Sequence, residues 1–296
     1  MIYLLLSIIL STYLTLSFKV LQKLNIPILP AIVFNYIFCV LTGSIVNGNL
    51  PYALPVVQAP WFKWAIVMGV CFISLFNVIG HTTQKIGVAV SSVSNKLSMV
   101  VSVIFFIVFF NESYNYIKIL GILLALIAVV CTCYSKPNSS VVHSKLLYLL
   151  PILLFIGSGF LDTLFKWISD TYIKDNEQVL NNFLISGFGI AGGIGLVLLA
   201  IQYVVYGISF TPKAILAGLC IGVPNYFSIY YLGMVYKANL MESSAIIPVN
   251  NMLIVLVSTL AAVVIFKEKL SKINWIGILL AIIAIALIAL NKHLTG

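Results

Sequence analysis

Along most of this chain apolar residues run for about 20 positions at a time, and polar residues break in only at intervals. Ten such runs stand out, at 2–18, 29–47, 61–81, 88–110, 116–134, 146–168, 179–205, 213–236, 242–266 and 273–291. A helix of about 20 apolar residues crosses a hydrocarbon core of about 30 Å. Helices are expected because backbone exposed to lipid must satisfy its own hydrogen bonds. The pattern predicts an all-α integral membrane protein with ten transmembrane helices.

Polar residues at helical spacing mark the faces that avoid lipid. The first run carries Ser7, Ser11 and Thr15, and the third Ser74, Asn77, His81 and Lys85. The fourth has Ser91, Asn95, Ser98 and Ser102, with Lys96 beside them, and the sixth has Ser158, Asp162, Lys166 and Ser169. The eighth has Tyr226, Tyr230 and Lys237 next to Asn225, and the ninth has Ser244, Asn251 and Ser258 next to Asn250. The fifth and tenth carry almost nothing polar in their middles, and the second only Asn35. The seventh is rich in glycine, which suits close helix packing. The first, third, fourth, sixth, eighth and ninth helices are therefore expected to line a wet centre, with the fifth and tenth outside.

The chain also repeats itself. Residues 110–128 read FNESYNYIKILGILLALIA and residues 266–284 read FKEKLSKINWIGILLAIIA, 156 positions later. Asn95 and Asn251 share that offset. The linker Ser135–Lys145, SKPNSSVVHSK, divides the runs five and five. This gives a first five-helix repeat over 1–134, a linker over 135–145 and a second repeat over 146–296. An odd number of spans turns the second copy upside down, so two inverted repeats would enclose a central cavity near the bilayer midplane.

Composition narrows the function. Mean hydropathy is +1.15, 62% of residues are hydrophobic and only 8% are charged, far from a soluble domain of this length. The first run has neither a basic residue before it nor a small-x-small cleavage pattern after it, so it reads as a retained helix. The +9 charge is all lysine, spread over loops and helix ends, which fits bilayer anchoring and not nucleic-acid binding. With the amino terminus inside, more lysines fall outside than inside, the reverse of the positive-inside rule. Cys39, Cys71, Cys131, Cys133 and Cys220 lie inside apolar runs and read as buried packing residues. No Gly-x-x-x-x-Gly-Lys loop is present to bind nucleotide. No His-x-x-x-His or Glu-x-x-His motif suggests a metal site or an enzyme, and no cofactor is expected.

Lys96 and Asp162 are the ionisable groups set deepest in the runs. A charge at a helix centre costs about 3 kcal/mol on insertion scales, so it calls for a partner or a task. Lys96 could receive an anionic group such as a carboxylate, while Asp162 holds an ammonium group or exchanges a proton. The alternative is a structural pair, Lys96 with Asp162 or Asp162 with Lys166. His81 could relay protons or sit buried and bonded to Asn77. Asn95 and Asn251 could bond a substrate or lock their helices together. Pro224 and Pro248 are expected to interrupt the eighth and ninth helices beside Asn225 and Asn250. Tyr13, Tyr226 and Tyr230 could stack on a substrate or on one another. Glu112 and Glu268 open the two copies and complement the dipole of the following helix. Asp170, Asp175 and Glu177 read as loop charges.

With its duplicated Glu112/Gly121 and Glu268/Gly277 motif, its five-plus-five layout and Phe18-Lys19 ending the first run, the chain resembles the drug/metabolite transporter superfamily, in its ten-helix EamA-type group. The resemblance implies a multi-pass carrier of the inner (plasma) membrane with both termini cytoplasmic. Its cavity would be lined by the same six helices. Relatives move amino acids, other metabolites, sugar nucleotides or toxic cations. The small multidrug members use a membrane-embedded Glu on the first helix; this chain has none, and Asp162 is the nearest substitute. The expectation is a monomeric secondary transporter, independent of ATP. It would move a small polar organic solute, an amino acid or related metabolite, by alternating access as an exporter or exchanger. A proton or a counter-substrate would be the coupling partner. The alternatives are a lipid-flipping or non-transporting membrane subunit, or a membrane-embedded enzyme.

Overall fold

The computed structural model describes residues 2–48, 50, 54–85, 88–110, 115–132, 149–173, 176–207, 211–238, 243–267 and 270–294. Glu112, Glu268, Asp175, Cys133 and the linker 135–145 lie outside these, as do the side chains of Lys85 and Ser244. Every regular element among the described residues is helical. In chain order they are α1 (Ile2–Lys23), α2 (Ile28–Asn47), α3 (Leu54–Val57), α4 (Phe62–Lys85), α5 (Val88–Leu97) and α6 (Met99–Phe109). Next come α7 (Tyr116–Thr132), α8 (Leu149–Ile168) with a π-helical turn at Ser169–Ile173, α9 (Glu177–Tyr206), α10 (Pro212–Lys237), α11 (Ser243–Phe266) and α12 (Lys272–Leu294).

Seven of these helical segments are long and apolar enough to cross a membrane. Three further apolar helices are shorter, at Val93–Phe109, Tyr116–Thr132 and Lys272–Ile288. Local chemistry sets several ends. Asn176 accepts a hydrogen bond from the Val179 N–H and starts α9, while Gly48 and Gly207 end α2 and α9 with left-handed backbone. The fourth run is irregular only at Ser98, where the backbone stays right-handed helical (φ −54°, ψ −20°) and the hydroxyl turns back on the Asn95 carbonyl at 2.5 Å. Pro224 and Pro248 do not interrupt their helices: α10 and α11 run through them. A proline removes one ladder bond, which neighbouring groups in a membrane fold can replace.

The chain forms two compact units, each drawing on both sequence halves: 1–77 with 164–238, and 78–163 with 239–296. In the first unit α2 packs between α10 and α9, and small residues let the backbones approach. A Cβ at Gly218 would lie 2.3 Å from that of Phe34, and one at Gly195 would lie 2.6 Å from Val33. Polar groups then bond across the close contact. Asn225 donates to the Asn35 side chain at 3.0 Å, Cys39 Sγ to the Gly222 carbonyl at 3.2 Å, and Ser7 to the Ser228 carbonyl at 3.0 Å. Tyr36, Phe72 and Phe188 fill the middle with near-parallel rings.

In the second unit α7 and α12, the helices of the two sequence copies, pack antiparallel. Gly121, near the start of α7, faces Ile288, near the end of α12; Gly277, near the start of α12, faces Thr132, at the end of α7. Their surfaces repeat as well. Ile122, Ala125 and Ala128 are buried, as are Ile278, Ala281 and Ala284; Leu120, Leu123 and Ile127 are exposed, as are Ile276, Leu279 and Ile283. Each helix thus buries one stripe against the other and turns an apolar stripe outward.

Candidate functional site

The second unit holds Lys96, Asn251 and Asp162 and bonds the first two to each other. Lys96 lies in the last turn of α5, half-buried, and its Nζ donates to Asn251 Oδ1 on α11 at 3.1 Å. Asp162 on α8 is partly buried, on the helix that meets α5 and α6 at Ser98 and Val101. Gly159, three residues earlier, makes this approach possible: a Cβ there would lie 2.8 Å from the Ser98 carbonyl and 2.6 Å from Val101 Cβ. The Ser102 hydroxyl crosses the same contact to the Gly159 carbonyl at 3.1 Å. The close approach at Gly159 thus brings α8, which carries Asp162, against the segment that carries Lys96, and the Asn251 amide bonds Lys96 from α11.

The neighbours of these residues are polar too. Asn251 and Asn250 are both buried, and Asn250 Oδ1 has no hydrogen-bond donor. A buried unpartnered carbonyl costs about 1–3 kcal/mol, so it marks a place where a donor or cation would be welcome. Asn95 is half-buried. His81 is exposed near the end of α4 and not in a buried pocket. Asn77 Nδ2 bonds the Ile73 carbonyl of its own helix at 2.7 Å.

Asn225, Tyr226 and Tyr230 belong to the first unit. Tyr226 and Tyr230 stack on each other, with ring centres 6.1 Å apart. The Tyr226 hydroxyl donates to Asn181 Oδ1 at 2.9 Å, and the Tyr230 hydroxyl donates to the Glu177 carboxylate. Glu177 is therefore not a simple loop charge; it opens α9 and anchors α10. The signal was present as two four-residue spacings, Tyr226/Tyr230 and Glu177/Asn181, which place each pair on one helix face. Asp170 is likewise engaged: in the π-helical turn it pairs with the buried Lys166 at 2.5 Å, so Lys166 is not Asp162's partner. Cys39 is buried as expected, but Cys220 is exposed, because α10 turns that face outward.

A cavity of about 380 Å³ opens beside α5–α8, lined only by apolar residues that include Leu97, Ile127 and Phe155. It offers nothing that would recognise a polar solute, so the polar cluster is the better candidate site.

Residues 146–290, nearly all of the second sequence copy, match the EamA-like transporter family. The resemblance drawn from the Glu/Gly motif is borne out by this match over the second copy, and the long apolar helices mark a membrane protein. A protein of Haemophilus influenzae, described only as uncharacterized, is 24% identical over 285 residues, covering 94% of each chain. One solved crystal structure superposes with a TM-score of 0.74 at 16% identity, covering 100% of this chain and 98% of its own, so the fold is shared over the full length.

Proposed function

We propose that this protein is a secondary transporter of the inner membrane that moves a small polar organic solute, an amino acid or related metabolite, by alternating access, without ATP. In this reading the ten apolar runs are ten spans in two inverted copies. The antiparallel, reciprocal packing of α7 and α12 supports the inversion, because equivalent helices of inverted copies run in opposite directions. The observation that carries the solute site is the Lys96–Asn251 pair, with Asp162 in the same unit, polar and ionisable groups set within apolar helices. Lys96 and Asn251 meet the anionic end of the solute, and Asp162 meets its donor end or exchanges a proton. Asn95 and Asn250 supply further amides.

The test is uptake and efflux in proteoliposomes against a metabolite panel, with the Lys96→Ala, Asp162→Asn double variant beside the wild type. Transport of at least one zwitterionic metabolite is expected, with flux lost in the folded double variant. Unchanged flux in that variant would remove the site, and no flux for any metabolite would remove the function.

A further inference from the structure

Leu97 of α5, Val100 of α6, Ile127 and Val130 of α7 and Phe155 of α8 wall the apolar cavity of about 380 Å³. Ile127 and Val130 are exposed, and Ile127 belongs to the stripe that α7 turns outward. The hollow therefore continues the outer apolar surface of a membrane protein. Gly159 lets α8 press on α6 at Val101, one turn from Phe155, and the hollow lies beside that contact. Its lining offers no polar surface among the described residues. Backbone at the end of α7 would be the exception, because the last carbonyls of a helix have no helical partner. Asn274 of α12 takes them: its Nδ2 donates to the Cys131 carbonyl at 3.1 Å and to the Thr132 carbonyl at 2.9 Å.

A held water needs about two to four polar partners, which such a hollow does not supply. An apolar cavity of about 150 Å³ already stays dry and takes up a small hydrocarbon instead. Around this protein the bilayer supplies hydrocarbon as acyl chains. We propose that the groove seats one acyl chain of a bilayer phospholipid as a bound ligand. Lipid tails are as apolar as the groove, so the gain is close packing and not the hydrophobic effect. A hollow walled by several helices touches a chain on more sides than a flat helix face does. That separates the seated lipid from the lipid that passes along the outward stripes of α7 and α12. Leu97 stands between Lys96 and Ser98, so the seated chain backs the irregular turn from which Lys96 reaches Asn251. Such a seat requires only the membrane setting, whatever solute the protein carries.

The test is native mass spectrometry of the full chain, purified from membranes and released from detergent micelles, with the retained lipid weighed and identified. The wild type should keep one phospholipid per chain at detergent levels that strip surface lipid. Val130→Phe, which fills the mouth of the groove, should lose most of it. Leu279→Phe makes a comparable change on the outward stripe of α12 and should keep it. Should Val130→Phe fail to fold, Leu97→Phe fills the groove from α5. A second readout is thermal unfolding of the delipidated chain with phosphatidylethanolamine added back. A ligand bound by the folded state alone stabilises it by mass action. The wild type and Leu279→Phe should therefore gain several degrees, and Val130→Phe clearly less. A wild type that retains no lipid overturns the proposal. So does a Val130→Phe variant that retains lipid or gains stability as the wild type does, and so does a Leu279→Phe variant that loses the lipid too.

Discussion

Gly277 of α12 lies against the main chain of Thr132 on α7, and 156 residues earlier Gly121 of α7 lies against Ile288 of α12, the residue equivalent to Thr132. The contact is self-complementary, as between two protomers related by a two-fold axis, although both helices belong to one chain. The two glycines are not equally tolerant. A Cβ at Gly277 would meet the Thr132 nitrogen at 2.4 Å, which only a backbone shift can relieve. A Cβ at Gly121 would meet Ile288 Cγ1 at 2.7 Å and the Ala284 carbonyl only at 3.4 Å. Gly277→Ala should therefore destabilise by about 1–3 kcal/mol, the range for overpacking, and Gly121→Ala by less. Thermal unfolding of the two variants in one detergent checks the order; equal midpoints would show that α7 and α12 do not pack this closely.

The Lys96–Asn251 hydrogen bond should appear as an energetic coupling. Lys96→Ala, Asn251→Ala and the double variant form a cycle. Residues in direct contact couple by about 0.5–3 kcal/mol. The expected result is a double variant less destabilised than the sum of the singles, because each single change already breaks the shared bond. Strict additivity would mean the 3.1 Å contact carries no stability.

Much of this was legible in the sequence because lipid imposes a simple rule. Apolar runs gave the helices, and the duplication pointed to α7 and α12 as equivalents. Those two helices were also expected to carry no polar groups in their middles, and both turn apolar stripes outward. The lysine count was less useful, since it treats every lysine as a surface charge. Lys118 and Lys166 are almost wholly buried, at 1% and 4% exposure, so neither reports on the membrane surface. The irregular turn at Ser98 was hidden because serine is ordinary inside a helix, while the prolines that looked like breaks are absorbed by α10 and α11. Glu177 and Asp170 read as loop charges although their four-residue spacings, Glu177/Asn181 and Lys166/Asp170, were in the sequence. Each is short of apolar context in sequence; Glu177 gains its role from α10, which arrives later in the chain, and Asp170 from the π-helical turn that sets it against Lys166.

The amide pair Asn35–Asn225 gives a third prediction. Both residues are buried between α2 and α10, and Asn225 Nδ2 reaches Asn35 Oδ1 at 3.0 Å. Hydrogen bonds between membrane helices average about 0.6 kcal/mol and reach about 1.7 kcal/mol. Asn225→Ala should fall at the upper end, because it leaves the Asn35 carbonyl with only the weak Cys39 thiol at 3.8 Å, in a site where Asn35 Nδ2 is already unpartnered. Changing both to leucine would crowd the nearby Gly222 contact, so the informative comparison is Asn225→Ala against Asn225→Ser. A serine that recovers nothing in thermal unfolding would indicate that packing, not the hydrogen bond, sets the cost.

The two tyrosine rungs between α10 and α9 separate hydrogen bonding from burial. Tyr226 and its acceptor Asn181 are both buried, whereas Tyr230 bonds Glu177, which is exposed at the start of α9. Removing one partner of a buried bond leaves the other desolvated, at about 1–3 kcal/mol; a carboxylate that reaches water loses far less. Tyr226→Phe should thus destabilise more than Tyr230→Phe, although Tyr230 has the charged acceptor. Glu177→Gln should be close to neutral, since its carbonyl oxygen still accepts the Tyr230 hydroxyl. The three variants together decide the matter by thermal unfolding. If Tyr230→Phe proves the costlier change and Glu177→Gln follows it, the charge of Glu177 holds α10 against α9, and burial of the Tyr226–Asn181 rung does not.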